Sequence, residues 1–146
     1  MLVWAWFVSK YGGSYHGCDI SQDSLSVAKQ ALLQYIGNSD SDKSVDVALT
    51  RKDGIEFLHN YNKPIDLLYL DSIDWEKGSH ESGVFHLKLL LEGMSKVNVG
   101  GFVMFDDTFN VETFDGKADI AIPYLLGGNN FTCIWRGYQF IFRRDI

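Results

Sequence analysis

Four short segments of this 146-residue chain place an acid at the end of an apolar or β-forming run: Cys18-Asp19-Ile20-Ser21, Lys52-Asp53-Gly54, Leu70-Asp71-Ser72-Ile73-Asp74-Trp75 and Phe105-Asp106-Asp107-Thr108. A carboxylate at a strand end can accept two hydroxyl hydrogen bonds from a ribose, which suits Asp19, with Ile20 lying against the attached base. Asp53 can accept from an exocyclic amine such as that of adenine, and Gly54 lets the backbone come close to a flat ring. Each has a structural alternative, because Asp19 or Ser21, and likewise Asp53, can cap the helix that follows.

Asp106 and Asp107 make a stronger demand, since adjacent carboxylates beyond a buried strand repel one another and lose solvation unless something positive compensates them. A divalent cation would do so. With Asp71 they form a three-carboxylate, all-oxygen set suited to magnesium. The alternative is that one of the pair caps a turn with Thr108 while the other is solvated. His16, His59, His80 and His86 show no spacing typical of a zinc site. His80 and Asp74, in the loop after the third strand, are candidate general bases, with Trp75 as a wall for a bound ring. His86 is expected to face the core or a neighbouring helix, and the stripe Phe85, Leu89, Leu90 is expected to be core.

These acids need elements to carry them. Helical periodicity marks Gln22 to Ile36, with Leu25, Ala28, Leu32 and Ile36 near one face, then Gly54 to Asn60 and Glu81 to Met94. Strands are expected at Ser14 to Ile20, Val45 to Thr50, Ile65 to Leu70 and Gly101 to Phe105. Near-continuous apolar strands alternating with helices predict an α/β, Rossmann-like, mostly parallel sheet with helices on both faces. Phe131 to Arg136 and Tyr138 to Arg144 meet around Gly137 with no room for a helix, so the sheet should close with an antiparallel hairpin. In such sheets ligands bind at the carboxyl ends of the strands, and each strand before the hairpin delivers an acid there. The acids are therefore expected to gather around one pocket.

Composition narrows the partners. Nineteen Asp and Glu against thirteen Lys and Arg give a net charge of -6, which argues against a general grip on nucleic acid or an anionic membrane. A small-molecule substrate is the better expectation. Met1 to Val8 is apolar but far shorter than the roughly 20 residues of a membrane span, and reads as a buried helix. With only Cys18 and Cys133, no disulfide framework is supported, and a cytoplasmic location is expected. No repeat or linker appears, so residues 1–146 read as one domain.

In order and position these segments resemble class I S-adenosylmethionine-dependent methyltransferases from helix A onward. KYGGSYHGCDIS is similar to the end of their first helix and their second strand, which puts the ribose-binding acid on Asp19. RKDGIEFL is similar to the segment whose acid meets adenine, here Asp53. IDLLYLDSIDW resembles their fourth strand, VNVGGFVMFDDT their fifth, with Gly100-Gly101 turning into it, and GYQFIFRR their last antiparallel strand. LYLD followed by VGGFVMFDDT is most similar to the macrocin O-methyltransferase-like group, which implies methyl transfer to a hydroxyl of a sugar or other natural product, with magnesium on Asp71, Asp106 and Asp107. The sequence starts inside what would be helix A, so the resemblance implies an N-terminally truncated domain that binds cofactor weakly or not at all on its own. Two rivals are a nicotinamide-binding α/β enzyme and a non-catalytic module whose Met1 to Phe7 face packs on another subunit, as in a homo-oligomer.

Overall fold

The computed structural model describes residues 2–36, 45–77 and 79–146. The chain divides into two compact units, Met1–Phe57 and Leu58–Ile146.

The first unit contains α1 (Leu2–Tyr11), β1 (Gly13–Asp19), α2 (Gln22–Ile36) and β2 (Val45–Arg51). Helix α3 (Gly54–Asn60) begins in this unit and ends in the next. β1 and β2 pair in parallel, with Gly13 opposite Val45 and Asp19 opposite Arg51. α2 buries Leu25, Ala28 and Leu32, the i, i+3, i+7 stripe of an amphipathic helix. The Ile36 side chain lies outside the described residues. α1 departs from expectation: it packs on α2, β1 and β2, yet Val3, Trp6, Phe7 and Tyr11 are exposed. Its apolar residues ring the whole helix, so packing one face leaves the others in solvent. Part of that surface is covered locally, by Lys10 Nζ at 5.1 Å from the centre of the Trp6 ring and by Phe7 against Tyr11.

The second unit contains β3 (Ile65–Leu70), α4 (Glu81–Gly93), a 3-10 turn at Met94–Lys96, β4 (Val97–Phe105), α5 (Ala121–Leu126), β5 (Phe131–Arg136) and β6 (Phe140–Arg144). Its strands run in the order β3-β4-β6-β5, so the last strand inserts between β4 and β5. β3 and β4 are parallel, whereas β6 runs antiparallel to both its neighbours. The mixed α/β class and the antiparallel close are therefore as expected. β4 starts earlier than Gly101: Gly100 lies inside it at φ +82°, and the β3–β4 register shifts between Ile65 and Leu67. A second register shift falls between Cys133 and Trp135 on β5. Tyr138 belongs to the hairpin turn and not to β6.

Val103, Phe105, Phe140 and Phe142 are fully buried in this sheet, as are Leu90 of α4 and Ile122 of α5. Phe142 meets Phe105 edge-to-face at 6.2 Å between ring centres and stacks on Phe140 at 6.4 Å. His86 is fully buried on α4, as expected. Its Nε2 accepts from the Ser72 N–H at 3.1 Å, so Nδ1 carries the proton and donates to the Ser82 carbonyl at 2.8 Å. Burial lowers its pKa more than the Ser82 carbonyl raises it, which keeps the ring neutral while it fastens the start of the loop after β3 to α4. Among the described residues no helix is long and apolar enough to cross a membrane.

Candidate functional site

In the first unit the acids sit where the parallel strands end. Asp19 is the last residue of β1, and its carbonyl accepts from the Lys52 N–H at 3.0 Å, just past β2. Asp19 Oδ1 accepts from the Ser21 N–H at 2.7 Å, and Ser21 Oγ accepts from the Ser24 N–H at 3.2 Å to cap α2. Asp53 Oδ1 caps α3 through the N–H groups of Ile55 at 2.9 Å and Glu56 at 3.2 Å. The capping alternative is thus realised by Ser21 at α2 and by Asp53 at α3, and the Oδ1 bonds of Asp19 and Asp53 leave Oδ2 of each to other partners. Ile20 is exposed beside Asp19, and Gly54 opens α3.

Cys18 registers both charges. Burial first, then Asp19 and Asp53, push its thiol up to about 11. A thiol so raised is almost wholly protonated at neutral pH and therefore a poor nucleophile. Alkylation of Cys18 by iodoacetamide should accordingly be slow at pH 7.5 and rise only towards pH 11, with Asp53→Asn shifting the curve to lower pH. A reactivity curve centred at the ordinary thiol value would contradict this placement of the two acids.

In the second unit β3 and β4 deliver Asp71, Asp106 and Asp107 to one end of the sheet, and the Asp106 N–H donates to the Leu70 carbonyl at 3.3 Å. The compensating charge is a lysine. Lys117 Nζ lies 2.6 Å from Asp71 Oδ1, 2.7 Å from Asp107 Oδ2 and 3.6 Å from Asp74 Oδ1, with its side chain only 7% exposed. Asp107 Oδ1 also accepts from the Tyr138 hydroxyl. Asp106 Oδ2 accepts from the Tyr69 hydroxyl, which stands 3.3 Å from Asp71 Oδ2 as well.

The backbone holds this arrangement under strain. Asp107 has φ +53°, a left-handed conformation that Asp tolerates better than most residues. Thr108 and Gly116 form an isolated antiparallel bridge, and the Lys117 N–H donates to the Asp107 carbonyl at 3.2 Å. Gly116, at φ +150°, passes so close that a Cβ there would lie 2.8 Å from Thr108 Cα, so only glycine fits. Lys117 is thereby fixed beside the acid pair.

The charges respond accordingly. Burial pushes Asp107 up, but hydrogen bonds from Lys117 and Tyr138 outweigh it and hold the carboxyl below its usual range. Burial pulls Lys117 down, and its bonds to Asp107 and Asp71 more than reverse that. Tyr69 is raised strongly by burial and by its bond to Asp106. These residues do not fit a magnesium ion: an ammonium group stands between Asp71 and Asp107, and Asp106 is turned to Tyr69. Among the described residues no group of three or more His, Cys, Asp or Glu side chains could hold a metal. The expected metal set of Asp71, Asp106 and Asp107 is corrected on that ground, because the positive charge it required comes from Lys117.

Of the candidate bases, Asp74 is fully exposed and touches the cluster only at long range. His80 precedes α4, 78% exposed, with Nδ1 at 2.9 Å from Asp119 Oδ2. Asp119 is largely buried, and among the described residues its Oδ1 has no hydrogen-bond partner. Trp75 packs on Phe109 at 5.3 Å between ring centres, and Phe109 on Tyr138 at 5.8 Å, giving an aromatic row that leads to Asp107. Sequence reasoning missed Tyr69, Lys117, Asp119 and Tyr138. Tyr69 was within reach of it, because period-two alternation puts residues 69 and 71 on one face.

The fold is one this chain shares with solved methyltransferases. A rRNA methylase from Streptococcus thermophilus superposes with a TM-score of 0.63 at 14% identity, over 97% of this chain and 79% of that one. A candidate rRNA methylase from Clostridium thermocellum gives 0.62 at 14% identity, over 95% and 81% of the two chains. A candidate methyltransferase from Streptococcus mutans, solved with S-adenosylhomocysteine, gives 0.61 at 10% identity, over 88% and 74%. No family model matches the sequence, and no curated protein matches it.

Proposed function

We propose that this chain is an S-adenosylmethionine-dependent O-methyltransferase domain acting on a hydroxyl of a small molecule, as in the macrocin-like group. The observation that carries the reading is the placement of Asp19 and Asp53 at the carboxyl ends of a parallel strand pair, in a fold shared with a protein solved with S-adenosylhomocysteine. Asp19 would hold the ribose hydroxyls with Ile20 against the base, and Asp53 the adenine amine beside Gly54. The cofactor supplies a methyl on a positively charged sulfur. In the second unit, His80 is suited to take the hydroxyl proton on Nε2, because Asp119 holds Nδ1–H and stabilises the imidazolium that forms. Asp71 and Asp74 are suited to accept from acceptor hydroxyls, and the Trp75–Phe109–Tyr138 row to bear a ring. Transfer itself is an in-line displacement, so positioning carries most of the rate.

Two neighbours are described as rRNA methylases, and an RNA acceptor is the competing outcome. The net charge of -6 weighs against it. The test is S-adenosylhomocysteine titrated to millimolar concentration while amide shifts are followed by NMR, then labelled S-adenosylmethionine offered with hydroxylated small molecules and with rRNA. Shifts should centre on Asp19 and Asp53, and Asp19→Asn should weaken binding about tenfold or more, the value of a charge-assisted hydrogen bond. Label should enter small-molecule oxygen and not RNA. No shift at millimolar ligand, or label in RNA alone, would defeat the reading.

The exposed Val3, Trp6 and Phe7 of α1 favour a second reading, a non-catalytic module that associates with itself. It predicts a concentration-dependent dimer by sedimentation and no response to the cofactor.

A further inference from the structure

An acid cluster of this kind needs a cation, and here the cation is covalently part of the chain. We propose that Lys117 is the resident cation of the Asp71–Asp107 site, filling the place a divalent ion would take, so that the site is charged and held in shape without a metal. Three observations carry this. The ammonium bonds one oxygen of each acid at 2.6 and 2.7 Å, ordinary lengths for charge-assisted hydrogen bonds. A magnesium ion would need those oxygens at about 2.0–2.1 Å, which it could reach only by displacing the ammonium or by accepting a like charge beside it. The lysine is also built in: its stem is buried, and the Thr108–Gly116 bridge and the Lys117 N–H bond to Asp107 fix where it starts. A surface lysine reaching an acid by chance would have none of these.

The remaining groups fit the same division of charge. Two carboxylates and one ammonium leave a single negative charge, with Asp107 further held by the Tyr138 hydroxyl and Asp106 engaged by Tyr69 instead of the lysine. Lys117 acts as a positioning residue, since it orders Asp71 and Asp107. The inference concerns how the cluster is charged and is independent of which acceptor the chain takes.

The test is a manganese(II) titration of the whole chain, read by the electron paramagnetic resonance of free manganese and by paramagnetic broadening of amide signals. The wild type should show no saturable binding below about 1 mM, the weak end of protein cation sites. Lys117→Met should gain binding at least tenfold tighter, broadening the amides of Asp71 and Asp107, and adding Asp107→Asn should remove it. A purely structural lysine would not create a metal site when removed. Wild-type binding near 10 μM or tighter that broadens Asp71 and Asp107 would overturn the proposal, on the same cation-affinity scale. So would folded Lys117→Met, or Lys117→Gln where the methionine variant does not fold, gaining nothing. The wild-type arm decides the matter even where neither variant folds.

Discussion

Phe142→Ala should lower the free energy of unfolding by about 3–5 kcal/mol, the range for deleting a fully buried aromatic ring. Phe142 sits in β6, the strand that inserts between β4 and β5, opposite Val103 on one side and Cys133 on the other. Its ring has no exposed surface and touches Phe105 and Phe140 at edge-to-face and stacked geometries. Removing it takes away the transfer free energy of the ring and also opens a cavity that two neighbouring rings cannot close without leaving their rotamers. Urea denaturation followed by circular dichroism should show the midpoint fall with little change in slope. Phe142→Leu, which keeps most of the volume, should cost clearly less. A loss below about 1 kcal/mol for the alanine variant would mean that β6 is not an interior strand.

Lys117→Met should cost about 2–3 kcal/mol at neutral pH, below the 3–5 kcal/mol of a wholly buried broken pair because Asp71 is 38% exposed. The pH dependence has a definite sign. Asp107 is depressed in the folded chain, so its contribution is complete above the ordinary carboxylate range and is lost as pH falls through its lowered value. Lys117 is raised, so its contribution is complete below the ordinary lysine value and is lost as pH rises through its raised one. The gap between wild type and variant should therefore be widest from about pH 5 to pH 10 and should narrow below about pH 4, as the acids of the variant become neutral. Denaturation midpoints measured at neutral and acid pH check this. A gap that widens on acidification would contradict the Lys117–Asp107 pairing.

Much of the fold could be read from the sequence because it depends on local pattern. The Leu25, Ala28, Leu32 stripe, the apolar run Ile65 to Leu70 and the β-forming segments near the carboxyl end each declare their element without reference to the rest of the chain. The acids at strand ends were legible for the same reason. The strand order was not, since nothing local says that β6 should lie between β4 and β5. Lys117 escaped for a deeper reason: a lone lysine after Asp115-Gly116 looks like a solvated turn residue. Its burial is set by a bridge to Thr108 and by acids 10 and 46 positions away. The need for a positive charge was readable from Asp106-Asp107, but the identity of that charge was not. Asp119 was hidden likewise, because only the folded chain brings it to His80.

The register shift on β5 protects the molecule from itself. Among the described residues β5 bonds only to β6, so its outer side offers backbone groups with no strand partner there, with Ile134 and Trp135 exposed along it. A flat ribbon of that kind invites a foreign strand to zip on and propagate into aggregates. Between Cys133 and Trp135 the ladder loses its even spacing, so an incoming strand would fall out of phase after a few residues, and Arg136 sets a charge at the end of the run.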